Sequence, residues 1–189
     1  MTSANSVKKL PLASLIASAA LAVFAGVAQA QPPEAEPTAQ HKWLKKFVGK
    51  WETKTIAKQG DQEITMTGQI ESKMLGEFWV VNSMTAKLGD FKVVGRQQIG
   101  YSTEKKKFVG TWIDTTGDFI WRYEGTLSKN DTRLELVAEG PDMAAPGKMA
   151  TYRDMYEFVS DDEVKVTSSV KGPDGKWIDF MTGSGRRVK

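Results

Sequence analysis

The chain has 189 residues, with 26 lysines and arginines against 23 aspartates and glutamates, for a formal net charge of +3. It has no cysteine and one histidine, which excludes disulfide frameworks, Cys/His zinc sites and histidine-based hydrolytic triads. Charges of both signs are interspersed, as in "ESK", "RYE" and "RLELVAE", so the concentrated basic stripe that nucleic acid requires is missing. "EKKK" at 104–107 reads as a lysine-rich hairpin turn.

The chain opens "MTSANSVKKLPLASLIASAALAVFAGVAQA". Lys8 and Lys9 form a positive start, Leu12 to Val27 carries no charge, and Ala28 and Ala30 give the small-residue pattern of a signal peptidase site. The spacing predicts a signal peptide over 1–30, cleaved after Ala30, and a protein that is exported, periplasmic or secreted. The uncharged run is short and alanine-rich beside the roughly 20 strongly apolar residues of a spanning helix, so no stable membrane insertion is expected after cleavage. Loss of Lys8 and Lys9 leaves the mature part at 3 − 2 = +1. "QPPEAEPTAQ", 31–40, reads as a proline-rich disordered tether, and 41–189 as one domain.

"HKWLKKFVG" predicts one short helix. Trp43, Leu44 and Phe47 share a face, the lysines face away, and Gly49 ends it. His41, at its start, is expected to be exposed. From Trp51 the apolar period changes to two. Ile64, Met66, Gly68 and Ile70 form one alternating set, and Phe91, Val93, Gly95, Gln97, Ile99 and Tyr101 form another. Phe119, Trp121, Tyr123, Gly125 and Leu127 follow, then Leu134, Leu136 and Ala138, then Val164, Val166, Ser168 and Val170. "KQGDQ", "LGD", "STEKK", "SKNDT", "VSDDE" and "GPDGK" supply turns between them, and the prolines lie before the fold or in loops. About ten strands with short connections predict an antiparallel up-and-down β-barrel wide enough for a cavity, capped by the helix. A two-sheet sandwich is the alternative.

"HKWLKKFVGKWE", "FVGTWID", "GPDMAAPGKMATYRDMYEFVSDDEVKV" and "GPDGKWIDFMTGSGRRVK" together resemble domain-of-unknown-function family 1579 over about residues 40–188. The resemblance implies a bacterial, frequently exported barrel of lipocalin or calycin type. It brings no established activity. The wider calycin pattern implies a structural closure in which Gly49 and Trp51, at the first strand, meet an arginine at the last, Arg186 or Arg187. Some calycin-like barrels of ten strands bind heme through a late histidine. None follows His41 here, so neither heme nor any other cofactor or metal is expected.

Polar residues in phase with apolar ones are the candidates for a ligand site: Gln97 on the Phe91–Tyr101 set, Asp154 with Tyr152, Tyr156 and Phe158, and Asp179 with Trp177 and Met181. The other face of "TYRDMYEF" is nearly as apolar, so Asp154 can face either way. Trp112, Trp121 and Tyr123 can line a pocket or fill the core.

Asp114 depends on the register of the hairpin "FVGTWIDTTGDFIWRYEGTL". An even loop around Thr116-Gly117 puts Phe108 opposite Gly125, Gly110 opposite Tyr123, Trp112 opposite Trp121 and Asp114 opposite Phe119, facing inward. A three-residue loop turns Asp114 outward against Asp118 and exposes Phe108 and Trp112. Like charges directly opposite are unfavourable and apolar exposure costs burial, which favours the even loop.

The leading expectation is non-catalytic binding of a small apolar or amphipathic molecule. The alternatives are an envelope protein with a filled barrel that binds a protein partner, and a hydrolase-like enzyme with carboxylates at the barrel mouth.

Overall fold

The structure is a computed structural model that describes residues 36–189. The expected signal segment and residues 31–35 of the expected tether lie outside the described residues.

Ten strands follow one short helical entry. The strands are β1 (Gly49–Gln59), β2 (Gln62–Leu75), β3 (Trp79–Leu88), β4 (Phe91–Ser102), β5 (Lys107–Asp114), β6 (Trp121–Leu127), β7 (Arg133–Pro141), β8 (Met149–Ser160), β9 (Glu163–Lys171) and β10 (Trp177–Arg187). Each pairs antiparallel with the next, and β10 pairs back on β1, so the sheet closes into a barrel. The period-two pattern explains the wall. In β7, Leu134, Leu136, Ala138 and Gly140 point inward and are buried, while Arg133, Glu139 and Pro141 are exposed. Pro141, expected in a loop, is the last residue of that strand, where a missing N–H costs least. Phe91 shares the inner phase of β4 but stands at the strand's first position, past the rim of the wall, and is 76% exposed.

The entry is α1 (Ala39–Trp43), continued by one turn of 3-10 helix over Leu44–Phe47. Trp43, Leu44 and Phe47 are buried as the spacing predicts. They plug one end of the barrel against Phe108 and Phe158, edge to face, with ring centroids 5.0 to 5.9 Å apart. The Trp43 indole donates to the Asp131 carbonyl at 2.7 Å, in the turn after β6.

His41 is a correction: it is buried. Its Nδ1 accepts from the Thr38 backbone N–H at 3.0 Å, and its Nε2 lies 3.0 Å from the Tyr101 carbonyl. Nδ1 is therefore the acceptor and Nε2 the donor. Phe78 and Tyr101 pack edge-on against the ring. A histidine at a helix start reads as exposed only while the helix is taken alone; here the helix lies on the barrel.

At the same end Arg187, the last residue of β10 and at Trp51's register position, lies over the Trp51 ring at 4.1 Å. Its guanidinium donates to the Val48, Lys46 and Asp161 carbonyls. Gly49 has φ +132° and sits under that guanidinium, where a side chain would collide with it. Of the two arginines it is thus Arg187 that lies against Trp51, and Arg186 is exposed opposite Glu52.

The opposite end carries the connections β1–β2, β3–β4, β5–β6, β7–β8 and β9–β10. The two longest of these, 115–120 and 142–148, both reach over the mouth of the barrel.

Candidate functional site

The hairpin of β5 and β6 has the even register: Phe108 pairs with Gly125, Gly110 with Tyr123, and Trp112 with Trp121. The ladder stops there. No tight turn forms, and Asp114 does not pair with Phe119; its ladder partner is Gly95 on β4. The reason is visible in the side chains. Asp114 accepts from the Trp112 indole N–H at 2.6 Å and from the Thr116 N–H at 2.7 Å, and also takes the Thr116 hydroxyl. It therefore folds the loop around itself, as Asx turns do, while facing the interior.

Inside the wall is a cavity of about 410 Å³. Gln97, Trp112, Asp114, Trp121, Tyr123 and Asp154, the six expected ligand-site residues, all line it. Two tryptophans shape it, and each needs a glycine beside it. Trp112 lies across Gly95, and Trp121 lies across Gly140; a β-carbon at either glycine would overlap the ring. Met66, Met84, Met143 and Met181 add thioether surface that adapts to irregular shapes.

Polar groups meet in a layer towards the plugged end of the cavity, whose lining also takes in Phe47 of the plug. Asn82 Nδ2 donates to Gln97 Oε1 at 2.9 Å, and Gln97 Nε2 donates to the Tyr156 hydroxyl at 2.9 Å, which joins β3, β4 and β8 across the barrel. Beside it the Tyr123 hydroxyl donates to Asp154 Oδ2 at 2.8 Å and the Ser168 hydroxyl to Oδ1 at 2.6 Å. Asp154 and Tyr156 are enclosed by protein, and the surface they keep is cavity surface. Burial pushes the Asp154 carboxyl up, opposed by the Ser168 and Tyr123 hydrogen bonds. Burial, and then the neighbouring Asp154 carboxylate, push both the Tyr123 and Tyr156 phenols up, so both stay protonated donors at neutral pH. The Asn82 carbonyl oxygen is buried without a partner.

Asp179 is not part of this group. A bulge between Asp179 and Met181 breaks the phase of β10, so that Phe180 and Met181 both line the cavity. Asp179 instead accepts from Ser169 at 2.6 Å on the outer wall, where the Arg153 guanidinium covers Trp177 at 4.4 Å. A bulge adds one residue without any compositional mark, so strict alternation misassigns what precedes it. Asn82, Tyr156 and Ser168 complete the polar layer. Asn82 follows the same rule that found Gln97, a polar residue in an apolar phase, here Val80-Asn82-Met84-Ala86. Its tie to Gln97 follows from the strand pairing Asn82–Gln97.

Among the described residues, no cluster of His, Asp or Glu is placed to hold a metal ion, and no helix is long and apolar enough to cross a membrane.

The family model described as "Protein of unknown function (DUF1579)" matches residues 36–187, and the chain belongs to that family. No curated protein matches the sequence. Among solved structures, the barrel is similar to Rv2717c from M. tuberculosis, with a TM-score of 0.61 and 11% identity over 82% of this chain and 100% of that one. It is also similar to the S-type phycobiliprotein lyase CPES from Guillardia theta, with a TM-score of 0.54 and 13% identity over 78% of this chain and 92% of that one. At these identities the likenesses show the fold.

Proposed function

We propose that this DUF1579 barrel binds a small amphipathic molecule in its interior without changing it chemically. The observation that carries the reading is the cavity of about 410 Å³, with apolar walls and a layer of placed polar groups at its floor. Packed cores rarely leave voids larger than a water molecule, and this volume falls in the range of small-molecule sites, roughly 300 to 1,000 Å³. A filled barrel does not fit such a space. Carboxylate chemistry at the mouth draws less support, because both Asp114 oxygens already hold the loop and Trp112. The signal-like segment 1–30 supports delivery of this binding activity outside the cytoplasm.

Titration with phenylnaphthylamine, a neutral apolar fluorophore, tests the reading. Saturable enhancement at one probe per chain is expected, together with quenching of Trp112 and Trp121. Val166→Trp, whose ring would occupy the cavity, should abolish both while leaving the thermal transition in place. Non-saturating enhancement, or equal enhancement with the variant, would overturn the reading.

A further inference from the structure

The charged groups inside the barrel are all of one sign. The described residues lining the cavity include two aspartates, Asp114 towards the mouth and Asp154 at the floor, and no lysine, arginine or histidine. The Asp154 carboxylate has a hydroxyl on each oxygen and no cation beside it. Arg153, its chain neighbour, points to the outer wall, where it pairs with Glu135 at 3.6 Å. A buried carboxylate is ordinarily paired with a positive group, because removing it from water costs several kcal/mol. The Asn82 amide nitrogen donates to Gln97, and its carbonyl oxygen is buried within the wall.

Resting on the binding reading above, we propose that the ligand is a cationic amphiphile, an aromatic or aliphatic body carrying a primary amine. Its ammonium group donates to Asp154 at the cavity floor. An ammonium carries N–H donors and one positive charge, the charge that the Asp154 carboxylate has no side chain to match. The body lies between Trp112, Trp121 and the methionine side chains, and the rings offer their faces to a passing cation. Asp114 at the mouth gives the entry path the same sign as the floor. A carboxylic acid meets two carboxylates and no positive group. A neutral alcohol supplies one donor and no charge.

Three ligands with one body and different heads separate these cases: naphthylmethylamine, naphthylmethanol and naphthoic acid, each competing with phenylnaphthylamine on the unmodified protein. The amine should displace the probe at a concentration at least about tenfold lower than the alcohol, the size of one charge-assisted hydrogen bond, and the acid should be the weakest. In Asp154→Asn the amine and the alcohol should compete at equal concentrations, whatever the change in phenylnaphthylamine affinity. If that variant does not fold, the comparison on the unmodified protein decides alone. An amine no tighter than the alcohol, or an acid tighter than both, overturns the cationic head and leaves the binding reading intact. A preference for the amine that survives in folded Asp154→Asn overturns the assignment to that carboxylate. Failure of phenylnaphthylamine and all three competitors to bind overturns the binding reading and this proposal with it.

Discussion

Asp154 takes hydrogen bonds from Tyr123 and Ser168, but burial outweighs them and raises its carboxyl pKa. The native state therefore binds this proton more tightly than the unfolded chain. Between the ordinary carboxylate pKa and the raised one the folded protein holds more protons, so unfolding free energy falls as pH rises through that window and levels off above it. Asp154→Asn removes this slope. The difference in stability between unmodified protein and variant, followed by urea denaturation across pH, should move in the variant's favour as pH increases; a difference independent of pH would contradict the assignment. Arg187 sits at the plugged end of the barrel. Its guanidinium joins three carbonyls and the Trp51 face, and Arg187→Ala should cost about 2 kcal/mol. Arg186→Ala, one residue away on the solvent side, should stay within about 0.5 kcal/mol. Equal costs for the two would contradict the closure role.

The strands of the wall were legible because alternation is a direct imprint of one wet and one dry face. The β5–β6 register was legible for a further reason: the wrong register would expose Phe108 and Trp112 and oppose two aspartates. What escaped reading depends on contacts between distant segments. Asp114 ends its hairpin early through a bond to Trp112, two residues back, and the sequence shows that partner only as another wall residue. The bulge in β10 moved Asp179 outward with no marker in composition. His41 became a core residue because α1 docks on β4, and a helix read alone has no docking site. The pairs Trp112 over Gly95 and Trp121 over Gly140 belong to the same class, visible as glycines in strands but not as seats for rings. They give a prediction at the scale of the sheet. Gly95→Ala or Gly140→Ala should push a tryptophan into the cavity, cost about 1 to 3 kcal/mol by overpacking, and weaken phenylnaphthylamine binding. Glycine to alanine at Gly60, which has open space around it but φ +62°, should cost stability alone and leave binding unchanged.

Taken whole, the barrel keeps its two tasks at opposite ends. The plug of Trp43, Leu44 and Phe47 with the Arg187 closure holds one end, and the cavity opens at the other beneath the two longest connections. Leu44→Ala should therefore lower stability by about 2 to 5 kcal/mol with little change in probe affinity in the fraction that remains folded, as measured by titration well below the melting temperature. Closure itself rests on one ladder, β1 with β10, from Trp51–Arg187 to Ala57–Met181. That ladder has a consequence for biosynthesis. β1 ends at Gln59 and its partner begins at Trp177, so β1 leaves the ribosome well over a hundred residues ahead of β10. At roughly 5 to 20 residues per second, the stretch between them holds β1 waiting for something like ten seconds, with one edge unpaired and the cavity wall open to water. Such an edge invites pairing with other chains. The nascent barrel is thus most vulnerable during its own synthesis, and whatever covers β1 in that interval governs how much of the protein reaches the closed state.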